Sequence, residues 1–189
     1  MRSVRSVGAT VPIFVSAKTT AAVPAGLKLL YDALVQSTLD PRVRSIDYFS
    51  GPSALASGLA DGDIVITRHD GRFLLEVETS RPTDRPASST RTALPLLTLT
   101  AAQIRRGPRY ANSQHVWNYR TQPVTLALRL QVLQILGDEG PCRLGSLLPA
   151  IRTNADPAAA LFALACQDLV ELDLDSQPVG PATVARTRA

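Results

Sequence analysis

The chain has 189 residues, 45% of them hydrophobic and 19% charged, with 20 Lys and Arg against 16 Asp and Glu. That is apolar material for one ordinary domain or two small ones, and too little charge for an unfolded polar chain. No apolar run is long enough to span a membrane, and Val11 to Val15 is too short and broken for the core of a secretion signal, so a soluble cytoplasmic protein without a membrane partner is expected.

Lys18 and Lys28 are the only lysines, so nearly all the positive charge is arginine. Arginine suits forked contacts to phosphate and stacking on bases. A genome rich in Arg codons gives the same excess, and Ala and Pro are abundant here as well. A net charge of +4 permits DNA binding without diagnosing it. Cys142 and Cys166 lack metal-ligand spacing and fall in apolar stretches read as helix, which makes them buried thiols.

Residues 1–22 form a Ser/Thr/Val/Ala arm with scattered Arg, either loose or adding a strand. Helical spacing then begins: Leu27, Leu30, Tyr31, Leu34 and Val35 repeat on one face, with Pro24 as a first-turn proline. Asp40-Pro41 ends that helix. Val43, Ile46, Tyr48 and Phe49 make a short strand, followed by a loop of small residues. Asp63 to Thr67 and Phe73 to Val77 flank His69-Asp70-Gly71-Arg72, an Asp-Gly turn that predicts a β-hairpin over 63–78. Residues 79–92 are a Pro/Ser/Thr/Arg segment read as a mobile loop. Leu94 to Leu99 is a further strand. Thr100 with Gln103 forms a capping box for a short helix, and Asn112 to Tyr119 forms another.

From Val124 onward the pattern is mostly helical. Val124 to Leu136 is one apolar helix, stopped by Gly137-Asp138-Glu139-Gly140-Pro141. Leu144 to Ile151 is the next. Asp156 caps a third, with Pro157 at its first position. Val170 to Leu174 alternates like a strand, and Ala182 to Ala185 can pair back. Three helices and a hairpin in this order read as a winged helix-turn-helix, in which the third helix enters the major groove. Here that helix carries only Asp156, Gln167 and Asp168 as polar residues, too few to read a groove by itself. The module therefore serves either DNA contact through flanking arginines or protein contact. Arg105, Arg106, Arg109, Arg143, Arg152 and Arg186 are the candidates for touching phosphate.

Asp63 starts one hairpin strand, and Glu76 and Glu78 share a face of the other. Carboxylates converging from adjacent strands can hold Mg²⁺, which polarises a scissile phosphate and activates water. A solvated edge strand bearing acids would look the same in sequence. His69 sits in a turn and reads as solvated. His115 lies beside Trp117 and reads as packing; neither histidine is a candidate for catalysis.

The order of these pieces resembles the TnsA-type transposon-end endonucleases of the PD-(D/E)XK nuclease superfamily. Leu39-Asp40-Pro41-Arg42-Val43 resembles the family's Asp-Pro-x-Val turn. Asp63-Ile64-Val65, Asp70-Gly71-Arg72 and Glu76-Val77-Glu78 resemble its catalytic hairpin. Leu97 to Arg105 followed by Asn112 resembles its strand–helix–Asn segment. The resemblance implies an α+β fold: an arm (1–22), a restriction-endonuclease-like mixed-sheet domain (23–122) and a winged helix-turn-helix domain (123–189). It implies a catalytic set of Asp63, Glu76, Glu78 and Lys28, with Mg²⁺ on Asp63 and Glu76 when the site is active.

The chain departs from the family at two positions. Lys28 or a neighbouring Leu stands where the first helix usually carries Glu. Glu78 stands where a Lys usually steadies the attacking water. A weakened or lost nuclease is expected, acting in DNA binding or in assembly with a transposase or another protein subunit. The alternatives are an active Mg²⁺-dependent endonuclease with an Asp-Glu-x-Glu site, and a winged-helix regulator or adaptor. A swapped arrangement, with Lys28 supplying its ammonium to the acids, predicts Lys28 within hydrogen-bond reach of Glu76 or Glu78.

Overall fold

The computed structural model of the chain describes residues 11–78 and 93–188. Residues 1–10 of the arm and the 79–92 segment read as a mobile loop lie outside the described residues. The fold is mixed α+β. Among the described residues no helix is long and apolar enough to cross a membrane.

The arm folds back on itself. Strands β1 (Ile13–Phe14) and β2 (Val23–Pro24) pair antiparallel, with Phe14 opposite Val23. Of the two readings of the arm, an added strand describes residues 11–22. Phe14 is buried, stacked on Trp117 at 5.3 Å and edge-on to Tyr31 at 5.3 Å. Helix α1 begins at Lys28, later than expected: it spans Lys28–Leu39, and Pro24 belongs to β2. Proline lacks an N–H but tolerates an edge strand, and burial of Val23 and Ala25 outweighs the local helix-start signal.

The main sheet has the order β3 (Val43–Phe49), β4 (Asp63–Arg68), β5 (Gly71–Glu78) and β6 (Leu96–Thr100). The first three strands are antiparallel neighbours, and β6 lies parallel to β5. Alternation divides the sheet into two faces. Ile46, Ile64, Ile66, Leu75 and Val77 join the core that includes α1. Val65 and Leu74 face the other way, packing with Ala54 and Leu59. Ala54 belongs to a short helix, α2 (Gly51–Ala56), inside the stretch expected to be loop.

After β6 comes α3 (Ala101–Ile104), whose expected capping box is formed: Gln103 N donates to Thr100 Oγ1 at 3.2 Å and Thr100 N to Gln103 Oε1 at 2.8 Å. Helix α4 (Gly107–Trp117) lies against α1. Next follow α5 (Leu126–Glu139), β7 (Cys142–Arg143), α6 (Leu144–Ala150), α7 (Pro157–Cys166), β8 (Val170–Leu172) and β9 (Val184–Thr187). The three strands form a sheet in the order β7-β9-β8. Cys142 therefore sits on a half-buried strand and not on a helix face, because two residues of β7 pair with Val184 and Ala185. Cys166 is a buried helix thiol, as expected.

Helix α7 occupies the centre of the molecule. Every residue from Ala159 to Cys166 is buried. It touches α4, α5, α1 and β8, and its alanines let those neighbours approach closely. One apolar cluster runs without a break from Phe14, Leu34, Ile46 and Ile66 to Leu136, Leu147, Leu161 and Leu164.

Candidate functional site

The sheet face turned away from α1 carries the acids. Phe49 is paired with Asp63 across β3 and β4, and Glu76 and Glu78 are paired with Thr98 and Thr100 across β5 and β6. The β4–β5 ladder runs from Arg68↔Gly71 to Val65↔Leu74. Continuing that register by two residues on each strand sets Asp63 opposite Glu76. Asp63 shares the face of Val65, and Glu76 and Glu78 share the face of Leu74. The three carboxylates thus lie on one face of two adjacent strands, as the hairpin reading expects.

Their surroundings differ. Asp63 is buried at 3% exposure, and its Oδ2 accepts from Ala60 N at 2.7 Å, closing the turn that leads into β4. Glu76 and Glu78 are exposed. Among the described residues no group of three or more His, Cys, Asp or Glu side chains converges closely enough to hold a metal ion. Two hard carboxylate ligands from adjacent strands suffice for Mg²⁺ when water and phosphate complete the octahedron. Asp63 and Glu76 share a sheet face, but Asp63 is buried with its Oδ2 on Ala60 N while Glu76 is exposed.

Lys28 does not join them. Its Nζ donates to Asp32 Oδ1 at 3.0 Å, one turn along α1, and its side chain is 71% exposed. Leu29 and Ala33 of the same helix pack with Val77, on the face of β5 opposite Glu76 and Glu78. The swapped ion pair predicted from sequence is therefore not formed: alternation along β5 turns the acids away from α1. The hydrogen bond to Asp32, helped by its charge and opposed by burial, raises the Lys28 pKa. Asp32 itself is fully buried and also accepts from Tyr110 Oη at 3.3 Å and Gln114 Nε2 at 3.1 Å.

The arginine candidates divide into two groups. Arg105, Arg106, Arg143 and Arg152 are exposed. Arg109 is committed inside the fold: it donates to both Asp175 oxygens at 2.8 Å and to Asp40 Oδ2 at 3.2 Å. Arg186 pairs with Glu171 across β8 and β9.

Sequence reasoning did not find the buried ionic cluster that ties the two ends of the chain together. Lys18 Nζ donates to the Asp40 carbonyl at 2.7 Å and lies 3.1 Å from Asp168 Oδ1. Burial pushes the Lys18 pKa down, against the opposing pull of Asp168. Asp168 is in the left-handed region at φ 61, just past the end of α7. Arg188 donates to the carbonyls of Pro41 at 2.6 Å and Val43 at 3.0 Å, and pairs with Asp168 and Glu171. Burial alone would raise the Asp40 pKa. Hydrogen bonds from Arg42, with the charge of Arg109, outweigh it and hold the carboxyl at about 2. The sequence signal here is Asp40-Pro41: an acid before proline at a helix end is a turn-former, and its two arginine partners lie 2 and 69 residues away.

No protein-family model matches the chain, and comparison with curated proteins gives no match.

Proposed function

We propose that the chain is a DNA-processing protein of the TnsA-like kind whose cleavage site is weakened, acting by binding DNA and assembling with transposase-like partners. The observation that carries this reading is the hairpin of β4 and β5 in a mixed sheet, with Asp63, Glu76 and Glu78 on one face and β6 parallel alongside. A helix followed by a mixed four-strand sheet supports the restriction-endonuclease-like reading. The helix–strand–helix–helix–hairpin order with a β7-β9-β8 sheet supports a winged helix-turn-helix for the remainder.

The chemistry of the face supports weakened cleavage. Mg²⁺ on Asp63 and Glu76 would polarise a scissile phosphate and lower the pKa of a bound water. Glu78 adds negative charge where the transition state needs a cation, and Lys28 is bound to Asp32. The exposed Arg105 and Arg106 follow β6, whose Thr100 is paired with Glu78, so cationic groups lie a few residues beyond the acidic face.

The test is a gel-shift and nicking assay on duplex DNA with and without Mn²⁺, using the wild type, Asp63→Asn and Glu78→Lys. Salt-sensitive binding with little or no cutting is expected for the wild type. Metal-dependent nicking should appear or rise in Glu78→Lys and be absent when Asp63→Asn is added. Absence of DNA binding at low salt would overturn the reading in favour of a protein adaptor. Robust Mn²⁺-dependent cutting by the wild type would show an active Asp-Glu-x-Glu endonuclease.

A further inference from the structure

A cleft of about 540 Å³ opens between the arm and the C-terminal ends of α4 and α7, well away in sequence from the acidic sheet face. Its size falls within the range of small-molecule sites, roughly 300–1,000 Å³. Its charged lining is entirely positive: Arg120 and Arg129 contribute to it, with Ser16, Thr121 and Gln167 as neutral polar groups and no carboxylate. The acid next in sequence, Asp168, is already paired with Lys18 and Arg188.

The two arginines are only partly used by the protein. Arg120 is exposed, donates through Nη1 to the Trp117 carbonyl at 3.2 Å and lies over the Trp117 ring at 5.5 Å. That bond caps the end of α4. Arg129 donates through Nη2 to Gln167 Oε1 at 3.0 Å. Each guanidinium has five N–H donors. Arg129 Nε is buried and has no hydrogen-bond partner. That atom is shielded from the cleft, so the donors that Arg120 and Arg129 can offer an oxyanion there are their remaining guanidinium N–H groups. Val15, Leu169 and Trp117 give the same cleft an apolar wall.

We infer that this cleft binds a phosphate group carried on a nucleotide, with Arg120 and Arg129 on the phosphate and the apolar wall beside the base. The inference is drawn from the chemistry of the cleft and does not rest on the proposed role of the sheet face. The phosphate can come from a free mononucleotide or from a nucleic-acid strand.

Trp117 is the chain's single tryptophan and lines this cleft, so its emission gives one signal that includes the cleft. The experiment titrates the full chain with adenosine 5′-monophosphate, with adenosine, and with a short 5′-phosphorylated single strand, following Trp117 fluorescence. A saturable change with the monophosphate assigns a free nucleotide. A change with the strand alone assigns a strand phosphate. Arg129→Gln should weaken binding by about tenfold or more, as loss of a charge-assisted contact does. Arg120→Gln alters an exposed side chain, keeps the fold by circular dichroism, and should weaken binding as well. No saturable change with either phosphate ligand overturns the inference. So does adenosine binding as tightly as its monophosphate, or unchanged affinity in Arg120→Gln.

Discussion

Asp40→Asn is the sharpest probe of the arginine contacts at the end of α1. Asp40 is 8% exposed and accepts from Arg42 N at 2.9 Å, Arg42 Nε at 3.0 Å, Arg42 Nη2 at 2.8 Å and Arg109 Nη2 at 3.2 Å. Its pKa falls from 3.8 to about 2. A carboxyl whose folded pKa is depressed adds stability above its unfolded pKa and loses it as pH falls through the folded value. That depression corresponds to about 2 kcal/mol near neutral pH, roughly half of it at pH 3 and little at pH 2. Asn stands in for the protonated carboxyl and does not titrate. Urea unfolding of both proteins across this pH range should give a stability gap that follows those values, with most of its loss between about pH 4 and pH 2. A gap of the same size at every pH would refute the charge-based account and leave only packing.

Three further outcomes follow from other contacts. Lys18→Met removes the ammonium shared by the Asp40 carbonyl and Asp168. It should cost about 2 kcal/mol by chemical denaturation, less than the roughly 3–5 of a fully broken buried pair, because Asp168 keeps Arg188. Asn112→Ala removes bonds to the Leu174 and Gln177 carbonyls and to Val179 N. At about 1 kcal/mol net for each bond it should cost about 3 kcal/mol, and the Val179 amide should exchange faster; unchanged protection at Val179 would show that the turn holds without Asn112. Gly140 sits at φ 73 and ψ −159, a region that essentially only glycine occupies. An added Cβ would meet nothing within 4 Å, so Gly140→Ala should lower stability by about 1–3 kcal/mol through backbone strain alone, read as a lower thermal midpoint.

Local chemistry made several elements legible in the sequence. The Asp-Gly signal finds the hairpin, although the turn sits one residue earlier than expected, at His69-Asp70, with Gly71 pairing with Arg68. Thr100 and Gln103 mark the capping box, and Asp156-Pro157 the start of α7, where Asp156 Oδ1 accepts from Ala158 N at 2.9 Å. Each is a short-range signal whose partners lie within a few residues. The features that were missed depend on distant partners. Pro24 looks like a helix start until Phe14 and Val23 pair across the arm. Cys142 looks helical until Ala185 arrives from the end of the chain to pair with it. Arg109 reads as a phosphate ligand by type alone, and only the fold brings Asp40 and Asp175 to it. On the acidic face, period-two alternation placed Glu76 and Glu78 together, and the same alternation turns them from Lys28. Helix α1 covers the other face of the sheet, so Lys28 meets Asp32 of its own helix and not the acids.

Burial of α7 sharpens what the C-terminal module can do. A winged helix reads DNA through its third helix and through the turn of its hairpin. The element in the third-helix position here, α7, is buried from Ala159 to Cys166, with α4, α5 and β8 around it. The turn between β8 and β9 is held as well: Asn112 of α4 donates to the Leu174 and Gln177 carbonyls and accepts from Val179 N, and Arg109 pairs with Asp175. Both reading elements are therefore engaged within the chain. What the module leaves outward is α5 with Leu126 and Leu130 at 66% and 57% exposure, together with Arg143 and Arg152. A surface of that composition contacts phosphate through single arginines or packs on a protein, and it does not read a groove. With α7 buried and the β8–β9 turn held by Asn112 and Arg109, neither element is free to enter a groove as the chain is folded here.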